Sequence, residues 1–239
     1  MISIIIPTYN EEKIIGKTLS ELKAKLTLPH EIIVTDDKSK DRTAEIARAY
    51  ADQVLVPEKK HRTISANRNY GATFAHGHYL AFLDADSTIA DPNTFFTHAI
   101  SQFEADPGLM ALTGKIGVWP ELETWSDRVV YFFFNATHYL KNNVFKMGEG
   151  SGKFQMMTRT AFDTVGGYRE DLVTGEDGDM FGRLAKAGKT KYVGNLVVLH
   201  QGRRAHRIGW PKLLCIWMIE RFWVAVFGKS RSKVWVDIR

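Results

Sequence analysis

Three short polar clusters each close an apolar run. Pro7-Thr8-Tyr9-Asn10-Glu11 follows Ser3-Ile4-Ile5-Ile6, Asp36-Asp37-Lys38-Ser39 follows Ile32-Ile33-Val34-Thr35, and Asp84-Ala85-Asp86 follows Tyr79-Leu80-Ala81-Phe82-Leu83. Two carboxylates one residue apart can hold a hard divalent cation, Mg2+ or Mn2+, which neutralises phosphate oxygens as a Lewis acid. Asp84 and Asp86 have that spacing. A bound diphosphate would need such help, because the chain has neither a Gly-x-Gly-x-x-Gly turn after its first strand nor a Walker-type Gly-x-x-x-x-Gly-Lys-Ser/Thr. A later acidic pair, Glu176-Asp177, sits between Gly175 and Gly178. A carboxylate within hydrogen-bond reach of a hydroxyl can act as its base. A lone Asp after a strand is ordinarily a turn or cap residue, so the clusters form a site only if the fold makes them converge.

The surrounding pattern predicts that convergence. Residues 11–26 carry Ile14, Ile15, Leu19, Leu22 and Leu26 at helical spacing, residues 39–51 read as a helix capped by Ser39 or Asp41, and residues 65–75 as another. Brief strands alternate with them at 3–6, 31–35, 54–56 and 79–83. Such alternation implies right-handed βαβ crossovers and a mostly parallel sheet, whose ligands bind at the carboxyl ends of the strands. Further on, after Ala111-Leu112-Thr113, come a helical stretch at 121–147, a Gly-rich loop at 148–152 and an apolar strand at 192–199 followed by His200. The aromatic run Tyr131-Phe132-Phe133-Phe134 reads as core at helical spacing. With 239 residues, 44% hydrophobic and 25% charged, the chain suits one α/β domain or two small lobes, and its composition excludes disordered, collagen-like and polytopic membrane classes.

In order and spacing the clusters resemble the inverting, family-2-type nucleotide-sugar glycosyltransferases of the GT-A fold, over roughly residues 3–200. The matching motifs are a Pro-x-Tyr-Asn-Glu loop (Pro7 to Glu11), an Asp-Asp-x-Ser turn (Asp36 to Ser39), an Asp-x-Asp metal motif (Asp84 to Asp86) and the Glu176-Asp177 pair. The resemblance implies an α/β fold of GT-A type, a Rossmann-like sheet flanked by helices. It implies a nucleotide-sugar half at 1–110 and an acceptor half at 111–205. Donor contacts would come from Pro7, Thr8, Tyr9, Glu11, Asp37, Arg62, Asp84 and Ala85, with Tyr9 beside the base and Asp37 accepting from its imide. Asp86, with His200 as a further ligand, would hold Mn2+ or Mg2+. Asp177, beside Glu176, would be the catalytic base for a single inverting displacement. Arg68, Asn69 and Gly71 resemble the family's Arg-Asn-x-Gly helix start and read as packing under the donor site. Gln201 and Arg204 resemble part of the Gln-x-x-Arg-Trp motif of processive members, but Ala205 stands in the Trp position, which points to transfer of one sugar per cycle.

The net charge of +5 is unevenly spread. Residues 201–239 hold nine Lys or Arg against two acids, so the rest of the chain is slightly acidic and carries no nucleic-acid footprint. Residues 206–239 form a basic, aromatic segment in which Trp210, Trp217 and Trp223 accompany two apolar runs broken by Glu220-Arg221. That break argues against a membrane-spanning helix. The pattern suits an amphipathic helix lying in a layer of anionic headgroups, with packing onto the domain or into a homodimer as the alternatives. The single Cys215 and the absence of a leader pattern suggest a cytoplasmic protein at the inner face of a membrane. Donors would be UDP- or GDP-sugars, and acceptors a glycan or a lipid-linked molecule. Three other readings stay open: a polyprenyl-phosphate glycosyl synthase, whose acceptor needs no base; a non-catalytic nucleotide-sugar or glycan-binding module; and a nucleotidyltransferase.

Overall fold

A computed structural model describes residues 1–61 and 63–232. Arg62, one of the expected donor contacts, and the last seven residues lie outside the described residues. Seven strands form one sheet in the order β3-β2-β1-β4-β6-β5-β7. They are β1 (Ile2–Thr8), β2 (His30–Asp36), β3 (Gln53–Leu55), β4 (Tyr79–Leu83), β5 (Leu109–Val118), β6 (Phe154–Thr158) and β7 (Lys189–His200). β1, β2, β3 and β4 run parallel, as the alternation requires. β6 is inserted antiparallel between β4 and β5, and β7 pairs parallel with β5.

Helices cover both faces. Period-two alternation splits the apolar strands: Ile2, Ile4, Ile6, Ile32 and Val34 face one core with Leu19 and Leu22 of α1 (Ile15–Lys25) and Phe95, Phe96 and Phe103. Ile5, Ile33 and Phe82 face a second core with Phe162, Met180, Phe181 and Leu184. A sheet buried on both faces explains why its strands read as continuous apolar runs. α3 (Ile64–Phe74) lies against β1 and β2, and its start is capped by Thr63, whose hydroxyl accepts from the Ala66 N–H.

Two local expectations change. The helix expected from residue 39 is the short α2 (Thr43–Ala47), with no side-chain cap. Ser39 is instead drawn to the Asp36 carboxylate, and Asp41 accepts from the Thr43 N–H at 3.0 Å. The expected core role of the aromatic run holds only in part: on a helix, Trp125–Tyr139, Tyr131 packs against Trp210 and Phe134 against Trp217, whereas Phe132 and Phe133 are 68% and 64% exposed. This helix is α5, following α4 (Pro92–Ala105). Thr124 and Asp127 close a capping box at its start, and a π-helical turn, Leu140–Val144, extends its end.

The chain then forms α6 (Arg159–Val165), α7 (Glu176–Ala187), α8 (Arg203–Ile208) and α9 (Trp210–Phe227). α9 packs one side onto the domain. The Asp127 carboxylate, fully buried, accepts from Trp210 Nε1 at 2.7 Å and meets His206 Nε2 at 2.8 Å. The Glu220-Arg221 break turns inward: Glu220 is buried and accepts from the Thr174 hydroxyl and the Ser232 hydroxyl, while Arg221 pairs with Glu149 at 2.5 Å. Met218 and Phe222 on the other side are exposed. Among the described residues, no helix is long and apolar enough to cross a membrane.

Candidate active site

All three strand-end clusters and the later acidic pair meet at one edge of the sheet. The β1 and β2 loops clasp each other. Thr8 donates to Asp36 Oδ1 at 3.1 Å, the Asn10 N–H donates to Ser39 Oγ at 2.7 Å, and the Lys40 N–H donates to Asn10 Oδ1 at 2.8 Å. Asn10 and Lys38 both adopt positive φ, 53° and 58°, so the chain accepts local strain to make this clasp. Asp36 is buried and holds the turn, whereas Asp37 is half-buried and accepts from the His61 N–H at 2.5 Å. Burial raises the Asp37 carboxyl above its ordinary value, against the pull of that N–H. Lys60 Nζ lies 3.6 Å from the centre of the Tyr9 ring, leaving a flat aromatic and a carboxylate on adjacent strand ends. Pro7 is buried in β1 beside Thr35, and the Ala85 carbonyl accepts from the Thr18 hydroxyl at 2.7 Å, which fixes the backbone of the Asp-x-Asp turn.

Below this corner runs a chain of alternating charges. Arg68, 1% exposed, reaches Asp177 Oδ1 at 2.7 Å, Glu176 Oε1 at 3.4 Å and Asp84 Oδ1 at 3.4 Å. Lys153 Nζ bridges Asp84 Oδ2 at 3.0 Å and Asp86 Oδ1 at 2.8 Å. Arg203 links Asp86 Oδ2, at 3.5 Å, to Glu11 through two bonds of 2.9 and 3.1 Å. Burial opposes the charge of Asp86, yet Lys153 and the other cations around it hold the carboxyl well below the usual range. A cleft of about 710 Å³ opens on the far side of Glu11 and Arg203, lined also by Asn10, Leu122 and Arg207. It adjoins the Asp-x-Asp turn through Arg203 and does not include Asp177.

Glu176 and Asp177 open α7 after Gly175, which adopts φ 79°, so their charges also favour the start of the helix dipole. Gln155 Nε2 and Arg68 both donate to Asp177 Oδ1, and Tyr168 holds Gln155 by donating to its Oε1 at 2.8 Å. Burial, then the neighbouring charge of Asp177, pushes the Glu176 carboxyl up to about 8 despite Arg68. His200 is buried beside Asp86, with Nδ1 accepting from the Gly202 N–H at 3.0 Å and Nε2 2.7 Å from the Tyr131 hydroxyl. Burial and the charge of Lys153 push its ring down to about 3, so it is neutral around pH 7. Both ring nitrogens of His200 are thus engaged, beside the Asp86 carboxylate.

Among the described residues no three His, Cys, Asp or Glu side chains form a ready metal cage. The donor set still suits a hard cation: oxygens of Asp84 and Asp86 converge on one positive centre, the Lys153 ammonium. Mg2+ and Mn2+ sites of this type need only one or two carboxylates, with phosphate oxygens and water completing the shell.

Lys153, Arg203, Gln155 and Tyr131 carry no local signal that places them in the site, and Arg68, expected mainly to pack under the donor site, is also its ionic hub. Antiparallel pairing sets Leu83 of β4 opposite Phe154 of β6, so Lys153 comes opposite Asp84. No local signal reports that pairing.

A mostly parallel, helix-flanked sheet with these loops at its carboxyl edge is a GT-A, Rossmann-like fold. The description of glycosyl transferase family 2 matches residues 3–166, and the chain belongs to that family. Glycosyltransferase AglE of Haloferax volcanii is 25% identical over 92% of this chain and 75% of its own length. A validoxylamine A glucosyltransferase of Streptomyces hygroscopicus is 36% identical, over 35% of this chain and 20% of its own. Among solved structures, the mannosyltransferase PcManGT of Pyrobaculum calidifontis, in complex with GDP-Man and Mn2+, superposes with a TM-score of 0.74 at 19% identity, covering 97% of this chain and 66% of its own. TarS 1-349 of S. aureus with UDP-GlcNAc gives 0.65 at 20% identity, covering 84% and 58%. This chain thus spans a fifth to three quarters of the length of these proteins.

Proposed function

We propose that the protein transfers one sugar from a UDP- or GDP-sugar to an acceptor hydroxyl with inversion at the anomeric carbon. The observation that carries this reading is the Arg68 hub, which joins Asp84 of the donor turn to Glu176 and Asp177 of the acceptor side. Donor and base then belong to one site. Tyr9 and Asp37 suit a nucleobase, one as a flat face and the other as an acceptor for its imide. Pro7, Thr8 and Glu11 line the approach, and Asp84 with the Ala85 backbone faces the ribose and diphosphate. Asp177, oriented by two donors on Oδ1, takes the proton from the acceptor hydroxyl as the bond to the anomeric carbon forms. Glu176, kept largely protonated near neutrality, leaves Asp177 without a second full negative charge beside it. Asp86 with Asp84 would hold a divalent cation, Mn2+ or Mg2+, which supplies positive charge to the leaving nucleoside diphosphate. Lys153 and Arg203 add fixed cations at the same edge.

A membrane-proximal acceptor, glycan or lipid-linked, is supported by the exposed apolar sides of α5 and α9, with Trp125, Phe132, Phe133, Met218 and Phe222 in water. Lys212, Lys229 and Arg231 flank this surface in sequence. Contact with the cytoplasmic leaflet follows from that reading.

The test is calorimetric titration of nucleoside diphosphates and nucleotide sugars into wild type and Asp86→Ala, with Mn2+, Mg2+ or chelator. Metal-dependent binding of one nucleotide class, lost in the variant, is the expected result. No binding of any donor under any metal overturns the reading.

A further inference from the structure

Lys153 sits where the two carboxylates of the Asp-x-Asp turn meet, and the fold fixes its backbone there while its long side chain keeps its own freedom. The β4–β6 register brings it opposite Asp84, and its carbonyl accepts from the Ser87 hydroxyl at 2.9 Å, tying its backbone to the same turn. Its ammonium then meets Asp84 Oδ2 at 3.0 Å and Asp86 Oδ1 at 2.8 Å. Two oxygens from different residues thus converge on one positive centre. A divalent cation of the Mg2+ type would bind those oxygens at about 2.0–2.1 Å. It cannot share the space with an ammonium group, because the two overlap and repel. Arg203 occupies the other oxygen of Asp86 at 3.5 Å, so entry from that side also meets a cation.

We propose that Lys153 is a tethered competitor of the divalent cation. Its ammonium lies in the seat between Asp84 and Asp86, and a metal ion enters only as the ammonium leaves. A donor diphosphate favours the exchange, since its phosphate oxygens offer the displaced ammonium a new partner while bringing further ligands to the metal. Metal and donor therefore load together, and the free protein avoids holding a cation with no substrate. This rests on the reading that the turn serves a nucleotide-sugar.

The test uses Mn2+ alone, with unbound ion read by electron paramagnetic resonance, on the full chain of wild type, K153M, K153R and the double variant K153M/D86A. Circular dichroism checks that each is folded. Removing the competitor should tighten Mn2+ binding by about tenfold or more in K153M, while K153R stays as weak as wild type and D86A erases the gain. K153Q, neutral but still able to donate to Asp84, replaces K153M if that protein does not fold. Equal or weaker Mn2+ binding in the neutral variant overturns the proposal, as does a gain that survives D86A. No sugar donor enters these measurements, so a failure of glycosyl transfer would be read separately.

Discussion

The Arg68 guanidinium and the Asp177 carboxylate, 109 residues apart in the chain, meet at 2.7 Å in the interior. The same guanidinium also touches Asp84, so a single side chain fixes the distance between the donor turn and the proposed base. An arginine suits this task because its planar fork presents several donors at once, which a lysine cannot match.

Replacing Arg68 by Met should therefore harm both folding and chemistry. The Asp84 and Asp177 carboxylates lose their shared cation, and breaking a buried ion pair from one side costs about 3–5 kcal/mol. Denaturant unfolding should show a loss of that size, and R68K should recover only part of it. A change below about 1 kcal/mol, the range of an exposed pair, would mean that Arg68 is not the hub described.

Glu176 predicts a pH dependence of stability. Its carboxyl rises from an ordinary 4.5 to about 8 in the folded protein, so between those values the native state holds a proton that the unfolded chain has released. Stability from this group therefore falls as pH rises across the window, by about 1.4 kcal/mol per unit at most. In E176Q that loss is absent, and the variant's unfolding midpoint should gain on wild type steadily from pH 5 to about 8. A constant difference across the window would contradict the assignment.

Gly71 is a packing prediction. A Cβ there would lie 2.6 Å from Ile5 Cγ2 and 2.8 Å from Thr35 Cγ2, both fixed by β-branched side chains of the central strands. Gly71→Ala should destabilise by about 1–3 kcal/mol through overpacking, measured by chemical denaturation. An unchanged midpoint would show that α3 can lift from the sheet without cost.

Much of the fold was legible because the forces that make it are local. Buried parallel strands read as unbroken apolar runs, and β4 has the expected limits of residues 79–83. The acidic groups at the ends of β1, β2 and β4 stood out because charges interrupt an apolar run, and the topology carries them to one edge. The rest depended on pairing across long separations. The antiparallel insertion of β6 puts Lys153 on the Asp-x-Asp turn, and Arg203 reaches Glu11 across 192 residues. Phe132 and Phe133 misled for another reason: helical spacing locates a face but does not say whether protein, lipid or water meets it. Likewise Glu220 and Arg221 read in sequence only as a charged break between two apolar runs, yet both find partners on the domain.

The exposed sides of α5 and α9 give a prediction separable from catalysis. Phe132→Asp and Phe222→Asp alter residues 68% and 65% exposed, so stability should shift by no more than about 0.5 kcal/mol. Co-sedimentation with vesicles containing anionic lipid should fall in both, and more in the double variant. Binding equal to wild type would remove the membrane from the account.

The central claim is that one site joins a nucleotide-sugar donor to a carboxylate base, and the release of nucleoside diphosphate tests it most directly. Wild type and Asp177→Asn would be compared over a panel of UDP- and GDP-sugars with membrane lipid extract as acceptor, after donor affinity has been measured for both. The account predicts turnover of one donor class by wild type, with the variant slower by about 10²–10⁴ while it binds donor equally well. A variant as fast as wild type, or a wild type that binds donors and releases nothing, would contradict it.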